Sequence, residues 1–85
     1  MSKHYDFSEK DIVYLMKDDN IILKDKKYLV HKIEIIEGGN FLDGWTEEHF
    51  AYLEDIDSQI IERKNIAFIN QMCGIKYIYA IKCIS

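Results

Sequence analysis

The sequence predicts a small, mainly β domain, and three observations carry that reading. Residues 75–84 alternate with period two. β-Branched and aromatic residues recur in short runs between polar stretches, not in helical stripes. Proline is absent, and the four glycines fall in two places only, Gly38, Gly39 and Gly44 around one loop and Gly74 at one turn. That punctuation leaves blocks at roughly 1–37, 45–72 and 75–85. The 85 residues allow a single domain, 1–85. An apolar fraction of 48% supplies enough Ile, Tyr and Phe to offset ordering entropy, which excludes a disordered chain.

The first element is open between two states. Ser8 can cap a helix with Asp11 three residues on, and Phe7 can staple onto Ile12. Yet Asp11 to Leu15 is β-branched and alternates as a strand does, so 8–18 reads either way. Asn20 to Leu23 is a short strand. Lys24-Asp25-Lys26 is a polar stretch able to reverse the chain. Lys27 to Ile36 then forms a longer strand that Gly38-Gly39 ends.

The stretch 46–64 is also divided. Thr46-Glu47-Glu48 is a good helix opening, with acids in the first turn. Against it, Phe50, Tyr52 and Ile56 share a strand face, while Leu53, Ile56 and Ile60 make only an interrupted helical stripe. Strand is the stronger reading for 50–56. Asn65 to Ile69 is a further β-rich run, joined through Asn70 to Gly74 to the last strand. There Ile75, Tyr77, Tyr79, Ile81 and Cys83 form an apolar odd face, which predicts a central strand with that face buried. Five strands in this length predict a partly open, SH3-like small barrel or a strongly bent antiparallel sheet. The alternative is an α+β fold, one helix on a four-stranded antiparallel sheet.

No apolar run approaches the roughly 20 residues that span a bilayer. Met1 to Asp6 has no apolar signal core and no glycine for myristoylation follows Met1. A cytoplasmic protein is expected. The cysteines agree. Cys83 lies ten residues beyond Cys73 along a strand, roughly 33 Å at about 3.3 Å per residue, too far for a disulfide. Both read as reduced thiols, with Cys83 packed in the core.

Charge is unevenly laid out. The net charge is −4, from 15 acids and 11 bases. Between Ile33 and Glu62 there is no lysine or arginine but nine acids: Glu34, Glu37, Asp43, Glu47, Glu48, Glu54, Asp55, Asp57 and Glu62. The rest of the chain carries six acids and eleven bases, and 63–85 has no acid. Aromatics lie among these acids. Phe41, Trp45 and Tyr52 as apolar anchors, with Asp43, Glu47, Glu48, Glu54, Asp55 and Asp57 as charge, make a docking surface for a basic face of a larger protein. Small acidic proteins of phages and other mobile elements that inhibit nucleic-acid enzymes use the same physics, a likeness by analogy alone. The bland reading is internal, acids set beside the basic C-terminal strands as cross-strand pairs.

Other chemistry is poorly specified. A calcium loop begun at Asp55 places Ile60 where glycine belongs and Ile66 where glutamate belongs. His4, His31, His49, Cys73 and Cys83 form no close metal-ligating pair. Gly38-Gly39-Asn40 lacks the lysine-serine step of a phosphate loop. No serine stands on a recognisable nucleophile turn. Ile60-Ile61-Glu62-Arg63-Lys64 resembles the end of magnesium-dependent nuclease sites, with Asp43 or Asp57 as the missing ligand, but covers five residues only. No catalytic residue, metal or cofactor is therefore expected, and the protein is read as a non-enzyme. The rival function is a nucleic-acid-binding module using Lys76, Lys82 and aromatics, although net negative charge makes direct phosphate binding weak. An exposed edge strand can also pair two copies.

Overall fold

The computed structural model describes residues 4–17, 21–39 and 44–83. They form six strands: β1 (Ile12–Met16), β2 (Ile22–Gly38), β3 (Thr46–Asp55), β4 (Ile61–Asn70), β5 (Ile75–Ile78) and β6 (Ala80–Lys82). All neighbours run antiparallel in one sheet of order β5-β4-β3-β2-β1-β6. The mainly β expectation holds, and no helix occurs among the described residues. The sheet is not closed by a strand pair, and its shape suits a partly open barrel.

The two edges of this sheet are consecutive in the chain, with Tyr79 alone between them. Tyr79 N–H donates to the Ile66 carbonyl of β4 at 2.9 Å, and its carbonyl accepts from Met16 N–H of β1 at 2.7 Å. One segment thus leaves one edge of the sheet and joins the other. Bulges supply the bend that this requires. Register shifts occur between Val13 and Leu15, between Val30 and Lys32, and between His49 and Phe50. Each extra residue kinks its strand and raises the local twist.

The core is small. Phe7, Val13, Val30, Ala51, Leu53, Ile66 and Ala80 pack as one buried cluster, with Tyr5, Leu15, Tyr28 and Ile33 against it. Phe7, which precedes β1, is the bulkiest of the fully buried side chains.

Several expectations are corrected. Ser8 and Asp11 do form the capping pair, Ser8 N–H donating to Asp11 Oδ2 at 2.9 Å. It closes a single turn, because Lys10 has φ of 75° and its N–H goes across to the Val30 carbonyl at 2.7 Å. Phe7 enters the core instead of stapling Ile12, which is 39% exposed. Lys24-Asp25-Lys26 is not a turn. It lies inside β2, where Lys24 to Lys27 are all exposed and have no partner on β1. The reversal falls earlier, where Lys17 N–H meets the Ile21 carbonyl at 2.9 Å. Thr46 to Glu48 open a strand, not a helix.

The 75–84 segment is not a central strand, and its odd face is not the buried one. Ile75 is 40% and Tyr77 49% exposed, whereas Ala80 is 1% exposed. Cys83 is half-buried and outside the core. The even residues Ile78 and Ala80 are apolar too, so alternation could not choose the face. The interior where β1 meets β6 admits the small Ala80, while the larger Tyr77 is left exposed. Both cysteines are free, Cys73 on the exposed turn.

Candidate functional site

The pleat of β3 separates the predicted acids before any partner is considered. Successive side chains point to opposite faces. Glu47 and Asp55 share the inner face with His49, Ala51 and Leu53, of which His49, Ala51, Leu53 and Asp55 are buried. Glu48, Tyr52 and Glu54 share the outer face with Phe50 and are half-buried. Asp57 is exposed in the turn after β3. Phe41 and Asp43 lie outside the described residues. Trp45, just before β3, is 64% exposed.

Most of these acids are engaged within the fold. Glu54 Oε1 lies 2.7 Å from His31 Nε2. Glu34 receives Arg63 Nε at 3.2 Å, and the same guanidinium stands 4.0 Å above the Phe50 ring. Glu62 pairs with Lys64 at 3.1 Å. Asp55 is a turn residue: its Oδ1 accepts from Asp57 N–H at 2.9 Å and Ser58 N–H at 3.4 Å, and Lys26 Nζ stands 3.6 Å from Oδ2. Burial pushes its carboxyl up, but the two amide donors and the Lys26 ammonium outweigh it and hold the pKa below the ordinary value. Glu37, Glu48 and Asp57 make no side-chain hydrogen bond or ion pair among the described residues. Lys26 and Arg63 act as counterions and His31 as a hydrogen-bond partner, but of these only Arg63, on β4, belongs to the basic C-terminal part of the chain that the internal reading named.

Glu47 sits in a polar chain that crosses three parts of the sequence. His49 Nε2 lies 3.0 Å from Glu47 Oε1, and Gln71 Nε2 donates to Glu47 Oε2. Tyr5 Oη lies 2.8 Å from His49 Nδ1. With Nε2–H directed at the carboxylate, a neutral ring leaves Nδ1 to accept the tyrosine proton. His49 is 2% exposed, and His4 stacks edge-on at 5.8 Å between centroids. The His49 hydrogen bond holds the Glu47 carboxyl below the usual range; burial opposes this, and Gln71 and the electrostatic pull of both imidazoles add to it. Burial, then the Glu47 charge, pushes the Tyr5 hydroxyl up.

This chain ends at a cavity of about 260 Å³ lined by Glu37, Trp45, Thr46, Glu47 and Gln71. The β2–β3 register places Glu37 opposite Glu47, so two carboxylates meet across one strand pair, an arrangement that repels unless a cation is near. Two turns hold the rim. Gln71 N–H donates to the Trp45 carbonyl at 3.0 Å. Gly44 has φ of 81°, and a Cβ there would run into the Met72 side chain. Met72, 70% exposed, therefore flanks the same rim as Trp45. Two carboxylates and an indole can take an ammonium or guanidinium group, by charge and by cation–π contact.

Of the predicted site residues, the structure brings Trp45 and Glu47 together at this cavity and leaves Glu48, Tyr52 and Glu54 on the other face. Sequence reasoning missed Tyr5, His49 and Gln71. The Glu-x-His step was the available signal, since period two places both on one strand face. Among the described residues no group of three or more His, Cys, Asp or Glu is placed to hold a metal ion. No helix there is long and apolar enough to cross a membrane. No protein-family model, no curated protein and no solved structure matches the chain.

Proposed function

We propose that this chain is a small cytoplasmic interaction protein that docks on a basic surface of a larger protein. Trp45 is the anchor, and a lysine or arginine side chain of the partner enters the Glu37–Glu47 cavity. One observation carries the reading. The chain's single tryptophan is 64% exposed beside a cavity with two carboxylates, of which Glu37 has no counterion among the described residues. Exposed tryptophan beside charge is the composition of an interface hot spot. Glu48, Asp57 and Asp43 would widen the negative field that steers the partner in. A partner whose basic face ordinarily holds nucleic acid fits this chemistry, and the protein would then act as an inhibitor or accessory of that partner.

Capture from lysate with and without nuclease, read alongside Trp45 fluorescence, tests the proposal. The expected result is a partner retained after nuclease and a blue shift of the indole emission on binding. Trp45→Ala and Glu37→Lys should each abolish capture. Loss of the partner on nuclease treatment would sink the proposal.

A second reading rests on Tyr77. Its ring is 49% exposed, with Phe68 at 6.4 Å and Tyr79 stacked at 6.5 Å. Such rings can stack bases of a single strand, with Lys76 exposed on the same strand. Binding of labelled single-stranded DNA that Tyr77→Ala removes and Trp45→Ala spares would select this function instead.

A further inference from the structure

β2 is longer than either of its neighbours. Pairing with β1 ends at Ile12 opposite Leu29, supplemented by Lys10 N–H to the Val30 carbonyl and Val30 N–H to the Asp11 carbonyl. From His31 to Gly38, β2 is paired only with β3 among the described residues. Among the described residues, the other edge of that segment is an open row of backbone donors and acceptors. Such an edge is a template for another strand unless it is blunted. Proline is absent here, and Ile35 and Ile36 are 54% and 48% exposed.

We infer that this edge pairs with the same edge of a second copy, antiparallel and centred on Ile33. Charge selects both the occupant and the register. A two-fold axis normal to the sheet keeps each face on its own side, so opposing residues must share parity. Centring on Glu34 would set that carboxylate against itself. Centring on Ile35 would face Lys32 with Gly38 and Ile33 with Glu37, with no charge pair. Centring on Ile33 places Lys32 opposite Glu34 of the second copy, twice by symmetry, and Ile33 opposite Ile33. Ile35 then lies opposite the bulge residue His31 of the second copy, where regular pairing stops. Lys32 and Glu34 already share one face, their charged groups 4.0 Å apart within one chain, so the paired edges would make a square of alternating charge. The ladder ends at His31 because Val30 is already bonded to Lys10 and Asp11. This short contact gives a concentration-dependent dimer, not an obligate one.

Sedimentation equilibrium over a wide concentration range tests the inference. The wild-type mass should climb from 10.1 kDa towards twice that value. Lys32→Glu faces two carboxylates with two more, and it should raise the dimer dissociation constant roughly tenfold or beyond. Glu34→Lys should do the same, and the double exchange K32E/E34K should restore wild-type association. Glu34→Lys also removes the Arg63 contact, so circular dichroism must show both single variants folded. If either does not fold, a mixture reports register: on a Cys73→Ser, Cys83→Ser background, Lys32→Cys mixed with Glu34→Cys should form a disulfide that neither forms alone. A monomer at every concentration, dimers indifferent to the single exchanges, or no disulfide specific to the mixture would each overturn the inference.

Discussion

His49 is the residue on which the inner polar chain turns. Both ring nitrogens are used, towards Tyr5 and Glu47, in a side chain that is 2% exposed. His49→Leu fills the volume but strands two polar groups, which costs about 1–3 kcal/mol for each group left unsatisfied. A chemical denaturation midpoint should fall accordingly. Glu47 gives a pH signature. Its folded pKa is lowered, so its stabilisation is fully present above the unfolded value, about 4.3, and is lost as pH falls through the folded value. The thermal midpoint of Glu47→Gln should lie below wild type at neutral pH, and the gap should close below about pH 4. A gap that persists into acid would assign the effect to packing. Of this chain, Glu47 and His49 were legible as a same-face pair once 46–55 was read as strand. Tyr5 was not, because a contact 44 residues away leaves no mark in local spacing.

At the scale of elements, what the sequence displayed was the presence of strands, and what it hid was their partners. Strand 50–56 and the 70–74 connection were readable from Phe50, Tyr52 and Gly74. The run Lys24-Asp25-Lys26 looks like a turn by composition. It is strand because β1 and β3 hold β2 on either side of it, at Leu23 and Tyr28. Likewise the face of 75–82 is decided by what β1 and β4 offer Ala80, a long-range fact. The loop into β3 yields a sharper expectation. Gly44→Ala combines a positive φ, costing roughly 1–2 kcal/mol for a side chain, with a collision against Met72. Its urea midpoint should drop with an unchanged slope. Docking should weaken further than stability does, because Trp45 is the next residue.

The whole molecule has little stability to lose. A chain of 85 residues is worth about 4–13 kcal/mol at the usual 0.05–0.15 per residue. Phe7→Ala should cost about 3–5 kcal/mol, enough to leave a large unfolded fraction at 37 °C, read by near-ultraviolet circular dichroism. A variant with an unshifted melting curve would show that the segment before β1 is no part of the core. Net charge of −4 also sets a whole-molecule expectation for docking. Association should be fast at low salt and slow steeply as the Debye length shrinks to about 8 Å near physiological ionic strength. The acid-rich stretch 33–62 announced that field in the sequence. It could not announce how much of it Lys26 and Arg63 neutralise, since both lie outside the stretch.

The passage of one segment through Tyr79 from one sheet edge to the other also has a meaning in time. A ribosome releases this segment after β1 to β4. Until it emerges, the Ile66 carbonyl and the Met16 N–H lack the partner that Tyr79 gives them, and the core cluster lacks Ala80, which pairs with Leu15. The nascent chain can form its hairpins early, but it cannot complete its interior before Tyr79 and β6 have emerged. Pairings this distant in sequence also make the final step slow. Ribosome-bound chains arrested before Tyr79 should therefore be cut readily by protease, and chains in which β6 has cleared the ribosome should resist.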